Sequence, residues 1–242
     1  MDGMEYDCAK CAVVEKICRL EDGKGPKLCP TKTEGETLAG ALKEYDDPDL
    51  KEFARVASVQ EGSCYACRDA KPFMMIPTKS RIEELIEFSQ RMGYKRLGMA
   101  FCGGLTHEAA ALSEILEKNG FEVISVSCKV GRIPKERIGV KNEEKIRIGK
   151  FESMCNPIAQ AKILNQAKTD FNIMLGLCIG HDSLFLKYVE GLTTVFATKD
   201  RVTGHNPMVT LYTSRSYYQR MMKMEFGSPE EMKSRLVPGQ EK

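Results

Sequence analysis

The fold is decided by residues 95–128, which read KRLGMAFCGGLTHEAAALSEILEKNGFEVISVSC. Short apolar runs at 96–102 and 121–128 have the length and composition of buried strands, and the segment 106–119 between them has the spacing of a helix. A strand, a helix and a second strand in this order form the repeating unit of a parallel sheet covered by helices. The stretch therefore predicts an α/β fold.

The same alternation continues towards the C-terminus. Further strands are predicted at 171–178 and 193–198, and further helices at 157–168, 183–190 and near 207–223. Together these elements predict a Rossmann-like open parallel sheet of about four to five strands with helices on both faces.

The N-terminal side has a different composition. Cysteine, glycine and proline dominate its first part, which predicts an irregular extension, whereas helices are predicted from Pro48 to about Gln60 and from Ser80 onward. The expected divisions are a cysteine-rich metal-binding extension, a helical connector, the α/β domain and a charged tail, at 1–45, 46–94, 95–226 and 227–242.

Charge and hydropathy exclude several classes of protein. The 242 residues contain 36 Lys and Arg against 34 Asp and Glu, so no chain-wide field favours nucleic acid or an anionic membrane. No signal peptide and no apolar run of roughly 20 residues is present, which predicts a cytoplasmic protein. Ten cysteines in such a chain indicate metal binding or thiol chemistry rather than disulfides.

Four cysteines lie in the N-terminal extension. Cys8 and Cys11 have the two-residue gap that lets both sulfurs face one metal, and Cys18 and Cys29 complete four thiolates. The segment has too few large apolar residues to build a core, so a metal is the expected stabiliser. The spacing suits zinc and an iron–sulfur cluster equally.

Three predicted strands end in cysteine, namely Cys102, Cys128 and Cys178, and Cys155 directly precedes Asn156-Pro157 at the start of a helix. The carboxyl ends of parallel strands meet at one edge of a sheet, so we expect a cysteine-lined pocket there. Three of these thiolates, Cys102, Cys155 and Cys178, are expected to hold a [4Fe–4S] cluster with one open iron. Zinc is the alternative cofactor.

The histidines have the same distribution. His107 follows Cys102, His181 and Asp182 follow Cys178, and His205 precedes a second Asn-Pro turn. A histidine beside a carboxylate suits acid–base catalysis near neutral pH, so these four side chains are the catalytic candidates.

Two further features leave alternatives open. Cys64 and Cys67 form a second close pair that suits another metal site, a redox dithiol or no function. The basic segment 129–150 suits either a flap that admits a small anionic substrate or a solvated surface loop.

Several of these motifs resemble a known family. They are the N-terminal cysteines, Ala100-Phe-Cys-Gly-Gly-Leu105, Met154-Cys-Asn-Pro-Ile-Ala-Gln160, Gly176-Leu-Cys-Ile-Gly-His-Asp182 and Gly204-His-Asn-Pro207. The chain resembles the uncharacterised prokaryotic metal-binding proteins named domain of unknown function 1847. The resemblance implies metal binding at Cys8, Cys11, Cys18 and Cys29 and implies no activity.

Three functions are compatible with these patterns. The first is an iron–sulfur enzyme of sulfur transfer, desulfuration or dehydration acting on a small anion. The second is a zinc protein with a structural N-terminal site and a thiol or single-metal pocket. The third is an electron carrier or metal-delivery protein, for which a redox partner protein is expected.

Overall fold

The computed structural model describes residues 6–223, so the predicted tail at 227–242 lies outside the described residues. The chain divides into two compact units, Met1–Met92 and Gly93–Lys242. No helix within residues 6–223 is long and apolar enough to cross a membrane.

The first unit is mainly helical. Its elements are α1 (Pro30–Thr33), α2 (Gly35–Glu44), α3 (Pro48–Ser63), the two-residue strands β1 (Tyr65–Ala66) and β2 (Ile76–Pro77), and α4 (Arg81–Arg91). The side chain of Asp47 accepts the N–H groups of the first turn of α3, and Ser80 caps α4, as expected for these residue types at helix starts.

The N-terminal extension is only partly irregular. Its first part, residues 6–29, contains turns and one short 3-10 helix, but Pro30–Thr33 and Gly35–Glu44 are helical where an irregular extension was expected. Pro30 at the first helical position and the helix-forming run after Gly35 explain this difference. Within residues 6–45 no side chain is buried, so this part of the chain has no apolar core of its own.

The second unit alternates strands and helices. Its elements are β3 (Arg96–Phe101), α5 (Thr106–Lys118), β4 (Glu122–Ser127), α6 (Pro157–Ala167), β5 (Phe171–Leu177), α7 (His181–Tyr188), β6 (Thr193–Thr198) and α8 (Met208–Tyr212). Within the described residues the strands form a four-stranded parallel sheet in the order β4-β3-β5-β6. The predicted mixed α/β architecture with a parallel sheet is confirmed.

Helices flank this sheet on both faces. From β3 the chain adds β4 in one direction along the sheet, and from β4 onward it adds β5 and β6 in the opposite direction. With the right-handed crossovers that are the rule for parallel strands, α5 lies on one face and α6 and α7 on the other. Strand β5 is buried along its whole length, as expected for a central strand covered twice. The direction of strand addition reverses between β3 and β5, next to Cys102.

The predicted helix near 207–223 is shorter than expected. Helix α8 ends at Tyr212, and only a 3-10 turn follows at Gln219–Lys223. The hydroxyls of Thr213 and Ser214 donate to the carbonyls of Val209 and Leu211. Such hydroxyls compete with the backbone for helical hydrogen bonds, which accounts for the early end.

Candidate functional site

Strand register brings two of the strand-end cysteines together. Phe101 of β3 pairs with Ser127 of β4, so the next residue of each chain segment, Cys102 and Cys128, lies beside the other. The backbone N–H of Cys128 donates to the carbonyl of Phe101 at 2.9 Å, which extends the ladder to this point.

Cys155 joins this pair from the start of α6. The backbone N–H of Asn156 donates to the carbonyl of Cys128 at 2.8 Å, and the Asn156 side chain caps the helix through Ala159. The thiol of Cys128 contacts the thiols of both Cys102 and Cys155. We call Cys102, Cys128 and Cys155 the cysteine row, with Cys128 in the middle.

The cysteine row is mostly shielded from water and receives backbone donors. Cys128 is 2% exposed and Cys102 9% exposed, while Cys155 is half-buried. The N–H of Gly103 donates to the Cys128 sulfur at 3.2 Å, and the N–H of Gly104 donates to the Cys102 sulfur. Hydrogen bonds of this kind stabilise negative charge on sulfur.

Two thiols of the row are acidified. Contact with the Cys128 thiol, together with the Gly104 N–H and the Lys199 cation, lowers the pKa of Cys102 to about 5 against the opposing effect of burial. Contact with Cys128, the Lys129 cation and the charge of His181 lower the pKa of Cys155 to about 5. The same two contacts and burial raise the pKa of Cys128. The Cys128 thiol has a single proton to donate, so the row favours a thiolate at either end beside a thiol in its middle.

Cations surround the row. Lys199 bonds to Cys102, and Lys129 bonds to Cys155 and to the carbonyl of Ser153 at 2.6 Å. Within residues 6–223, Lys129, Lys199 and Arg201 have no carboxylate partner. The carboxylate of Asp200 instead accepts the N–H groups of its own turn, at 2.9 and 3.0 Å. Three cations thus face the sulfurs of this edge.

Cys178 does not belong to the row. Because Phe101 pairs with Leu175, β5 continues for two residues beyond the end of β3, and Cys178 lies further along than Cys102. Its sulfur instead accepts a hydrogen bond from the guanidinium of Arg201 at 3.1 Å. The structure brings Cys102 and Cys155 into contact with Cys128, and the expected grouping of Cys102 and Cys155 with Cys178 stays a prediction.

The acid–base candidates differ in position. His181 is the first residue of α7, and its charge acts on Cys155, whereas Asp182 beside it accepts the N–H of Ser183 at 2.7 Å. His107 is exposed on the first turn of α5. His205 has a left-handed backbone (φ 68°), and its Nδ1 accepts the N–H of Asp200 at 3.1 Å. A neutral His205 ring therefore carries its proton on Nε2 and acts there as a donor.

The basic segment after β4 is held by ion pairs. Lys135 pairs with Glu152 at 2.6 Å, and the buried Lys145 pairs with Glu136. The Lys135 ammonium and the Arg147 N–H lower the pKa of Glu152 to about 2. Several positive charges of the segment are thus neutralised within it, and Lys129 is the member that reaches the cysteine row.

The N-terminal cysteines lie on successive turns. The N–H of Cys11 donates to the carbonyl of Cys8 at 3.3 Å, and the N–H of Cys29 donates to that of Pro26 at 3.2 Å. Cys18 follows Ile17, whose N–H donates to Lys24 at 2.9 Å. All four thiols are partly or fully exposed. Among residues 6–223, no three His, Cys, Asp or Glu side chains are arranged to hold a metal ion.

The second cysteine pair is split between the interior and the surface. Cys64 is buried, donates to the carbonyl of Gln60 at 3.1 Å, and has its pKa raised by burial. Cys67 is exposed and has a positive φ of 60°. A role for this pair stays open.

The backbone N–H groups that donate to the sulfurs of the row were not predicted from the sequence. Gly103 and Gly104 follow Cys102 directly, and a pair of glycines after a strand is a signal for backbone N–H groups that approach a ligand closely. A Cβ on Gly104 would lie 3.3 Å from Lys199 Nζ and 3.9 Å from Cys102 Sγ, so the glycine leaves room for both groups.

Known proteins provide three comparisons. The model of the family described as protein of unknown function, DUF1847, matches residues 29–196, a range that contains the cysteine row. An uncharacterized protein of Methanocaldococcus jannaschii is 45% identical over 198 residues, which cover 81% of this chain and 94% of that protein. Among solved structures, Dph2 from Pyrococcus horikoshii is similar with a TM-score of 0.32 and 17% identity, over 61% of this chain and 34% of that one.

Proposed function

The chain belongs to the DUF1847 family of proteins of unknown function, and we propose that its α/β unit is an enzyme whose cysteine row holds an iron–sulfur cluster. The observation that carries this proposal is the contact of three thiols from three separate chain segments, with Cys128 between Cys102 and Cys155. These thiols lie at the carboxyl ends of β3 and β4 and at the start of α6, the edge at which open α/β folds usually bind ligands.

The residue types of the cysteine row suit such a cluster, although within residues 6–223 of the metal-free protein no three side chains are arranged around a metal position. All three donors are sulfur, which suits iron–sulfur clusters and zinc, and two of them are acidified towards the thiolate that binds metal. The N–H donors of Gly103 and Gly104 are of the kind that tunes cluster potentials. In the row the sulfurs contact one another, so metal binding replaces these contacts with bonds to metal.

A single zinc ion is the second candidate, since the same thiolates are zinc ligands. Sulfurs that contact one another also match the spacing of ligands around one tetrahedral zinc ion, with Zn–S bonds of about 2.3 Å, so the row alone does not select the metal. We put the cluster first because the N–H groups of Gly103 and Gly104 donate to the sulfurs of the row, an arrangement that tunes iron–sulfur clusters.

A cluster with three protein ligands supplies one iron open to a substrate. The chain's own residues would then bind the substrate and supply its protons. Lys199, bonded to Cys102, and Arg201, bonded to Cys178, are the cations at this edge that would bind a carboxylate or phosphate group. The imidazole of His181, beside Cys155, exchanges protons, and the Nε2–H of His205 donates a hydrogen bond. These roles suit sulfur transfer, desulfuration or dehydration of a small anion.

Metal analysis of single variants tests the site. We expect anaerobically prepared protein to contain iron and sulfide, and Cys102→Ala, Cys128→Ala and Cys155→Ala each to lose them. Cys178→Ala is the matched control, because Cys178 is also a strand-end cysteine but contacts Arg201. Zinc without iron, or equal loss of iron in Cys178→Ala, would overturn the proposal.

An electron carrier is the remaining candidate for the same site. It predicts a reversible change of oxidation state, exchanged with a redox partner protein, and no open iron. Addition of cyanide to the reduced protein separates the two, because a small anion that binds an open iron shifts the electron paramagnetic resonance spectrum. An unchanged spectrum favours the carrier.

We further propose that Cys8, Cys11, Cys18 and Cys29 hold zinc. The support is a segment of residues 6–29 with turns at each cysteine and no buried side chain, which needs a stabiliser other than an apolar core. A Cβ on Gly25 would lie 3.1 Å from Cys29 Sγ, so this glycine leaves the sulfur space. Zinc content that survives loss of Cys8 and Cys11 would contradict this site.

A further inference from the structure

We infer that Gln160 is the positioning residue of the cysteine row, because its side-chain amide, carried by α6, bonds to the ends of both β3 and β4. That the positioned thiols serve to bind a cluster rests on the proposed function. That Gln160 positions the thiols does not, and it is testable in the metal-free protein.

The hydrogen bonds of Gln160 reach each segment. Its Nε2 donates to the carbonyl of Phe101 at 3.1 Å, one residue before Cys102, and to that of Val126 at 2.7 Å, two residues before Cys128. Gln160 itself lies on α6, whose start directly follows Cys155, and its backbone N–H makes the ordinary helical bond to the carbonyl of Asn156 at 3.1 Å. The side-chain amide therefore links α6 to the ends of β3 and β4.

Gln160 is an unusual residue for its place. It is 0% exposed and lies in the apolar stripe of α6 with Pro157, Ala161 and Leu164. Burial of an amide is unfavourable unless its groups are hydrogen-bonded, and in the described part of the chain the Oε1 of Gln160 has no partner. An apolar side chain of the same length avoids that cost, so the advantage of glutamine lies in the two bonds that Nε2 makes.

Those two bonds act at the end of an edge strand. Within the described residues β4 pairs with β3 alone, and its ladder to β3 ends at the bond from Cys128 N–H to Phe101. Phe101 accepts both this N–H and the Gln160 amide, so the orientation of the strand end is fixed from two sides. Loss of the amide frees the end of β4 and with it the Cys128 sulfur.

Cross-linking of the metal-free protein tests the inference. Diamide oxidises two neighbouring thiols to a disulfide and takes up their electrons and protons, and peptide mass spectrometry identifies the pairs. We expect the wild type to link Cys128 rapidly to Cys102 or Cys155. Gln160→Met, of equal length but without a donor, loses both bonds of Nε2 and is expected to do so at least about tenfold more slowly, since one lost hydrogen bond corresponds to a factor of up to about ten.

Two further variants make the test specific. Asn172→Ala removes another buried amide, at the first part of β5 and bonded to Thr169, and is expected to lower the unfolding temperature while it changes the cross-linking rate less than about twofold. Gln160→Glu, whose protonated carboxyl keeps one donor, is expected to cross-link at an intermediate rate. This variant also serves if Gln160→Met fails to fold.

The outcomes separate the two proposals. Slow cross-linking in Gln160→Met in a protein whose wild type binds no iron supports the positioning role and overturns the proposed cluster. A wild type that binds iron, with unchanged cross-linking and an unchanged paramagnetic resonance line shape in Gln160→Met, overturns the positioning role alone. Equal slowing in Asn172→Ala and Gln160→Met reduces the effect to general stability and also overturns it.

Discussion

Removal of Cys128 changes the ionisation of its two neighbours in the metal-free protein. The contact with Cys128 is the largest cause that lowers the pKa of both Cys102 and Cys155 from 9.0 to about 5. In Cys128→Ala this contact is absent, so both pKa values are expected to rise towards the ordinary range. Cys128→Ser keeps a hydroxyl that donates its one proton to either neighbouring thiolate and accepts from Gly103, and is expected to give an intermediate shift.

The size of this pKa change decides which assay is informative. At pH 7 a thiol of pKa about 5 is nearly all thiolate, whereas one of pKa about 9 is only about 1% thiolate, a difference of roughly 100-fold. Nucleophilicity falls as the pKa falls, with a slope of about 0.4–0.5, and this offsets most of that difference. A single rate at pH 7 is therefore uninformative, and the pH at which the rate stops rising is the quantity to measure.

Pulsed alkylation with iodoacetamide, resolved by peptide mass spectrometry, gives that pH for each cysteine. In the wild type the rates for Cys102 and Cys155 are expected to level off above about pH 6, and in Cys128→Ala to rise until about pH 9. Cys178→Ala is the control and keeps the wild-type profile, because Cys178 contacts Arg201. Coincident profiles for the wild type and Cys128→Ala would refute the assigned contacts.

Three other predictions concern the rest of the chain. Glu152→Gln is expected to lower the free energy of unfolding at neutral pH. The pKa of Glu152 is depressed from 4.5 to about 2, so its stabilising contribution is present above pH 4.5 and is lost as the pH falls towards 2. Urea unfolding at several pH values measures this change. Gly176→Ala places a Cβ 2.0 Å from Leu105 at a φ of 66°. It is expected to lower the free energy of unfolding by about 1–3 kcal/mol more than Gly93→Ala, where φ is a similar 71° and no described atom lies within 4 Å of the new Cβ. Equal losses in the two variants would contradict the close packing of β5. Double replacement Cys8→Ser and Cys11→Ser is expected to abolish zinc binding and to speed amide hydrogen exchange in residues 6–29 without a change in the α/β unit.

The elements of the α/β unit are predictable from local patterns. The expected strands at 96–102 and 171–178 differ from Arg96–Phe101 and Phe171–Leu177 by a single residue at the C-terminal end. An apolar run of strand length, or a cap such as Asn156, lies within a few residues of the element it predicts. Such elements can therefore be predicted without knowledge of the tertiary structure.

The grouping of the cysteines is not predictable in this way. It depends on register, which pairs Phe101 with both Ser127 and Leu175 and so aligns Cys102 with Cys128 but leaves Cys178 further along. A one-residue change of register would alter that choice without any change in the strand pattern. The role of Nδ1 in His205 likewise depends on a turn that closes on Asp200, which the Asn-Pro motif does not reveal.

The iron and sulfide content of anaerobically prepared protein tests the proposed cluster most directly. The measurement is best made in a Cys8→Ser, Cys11→Ser background, so that the N-terminal cysteines do not contribute, with and without Cys128→Ala. We predict about four iron and four sulfide ions per chain, together with a paramagnetic resonance signal after reduction, and loss of all three in Cys128→Ala. A preparation free of iron and sulfide, or one in which Cys128→Ala retains them, would contradict a cluster on the cysteine row.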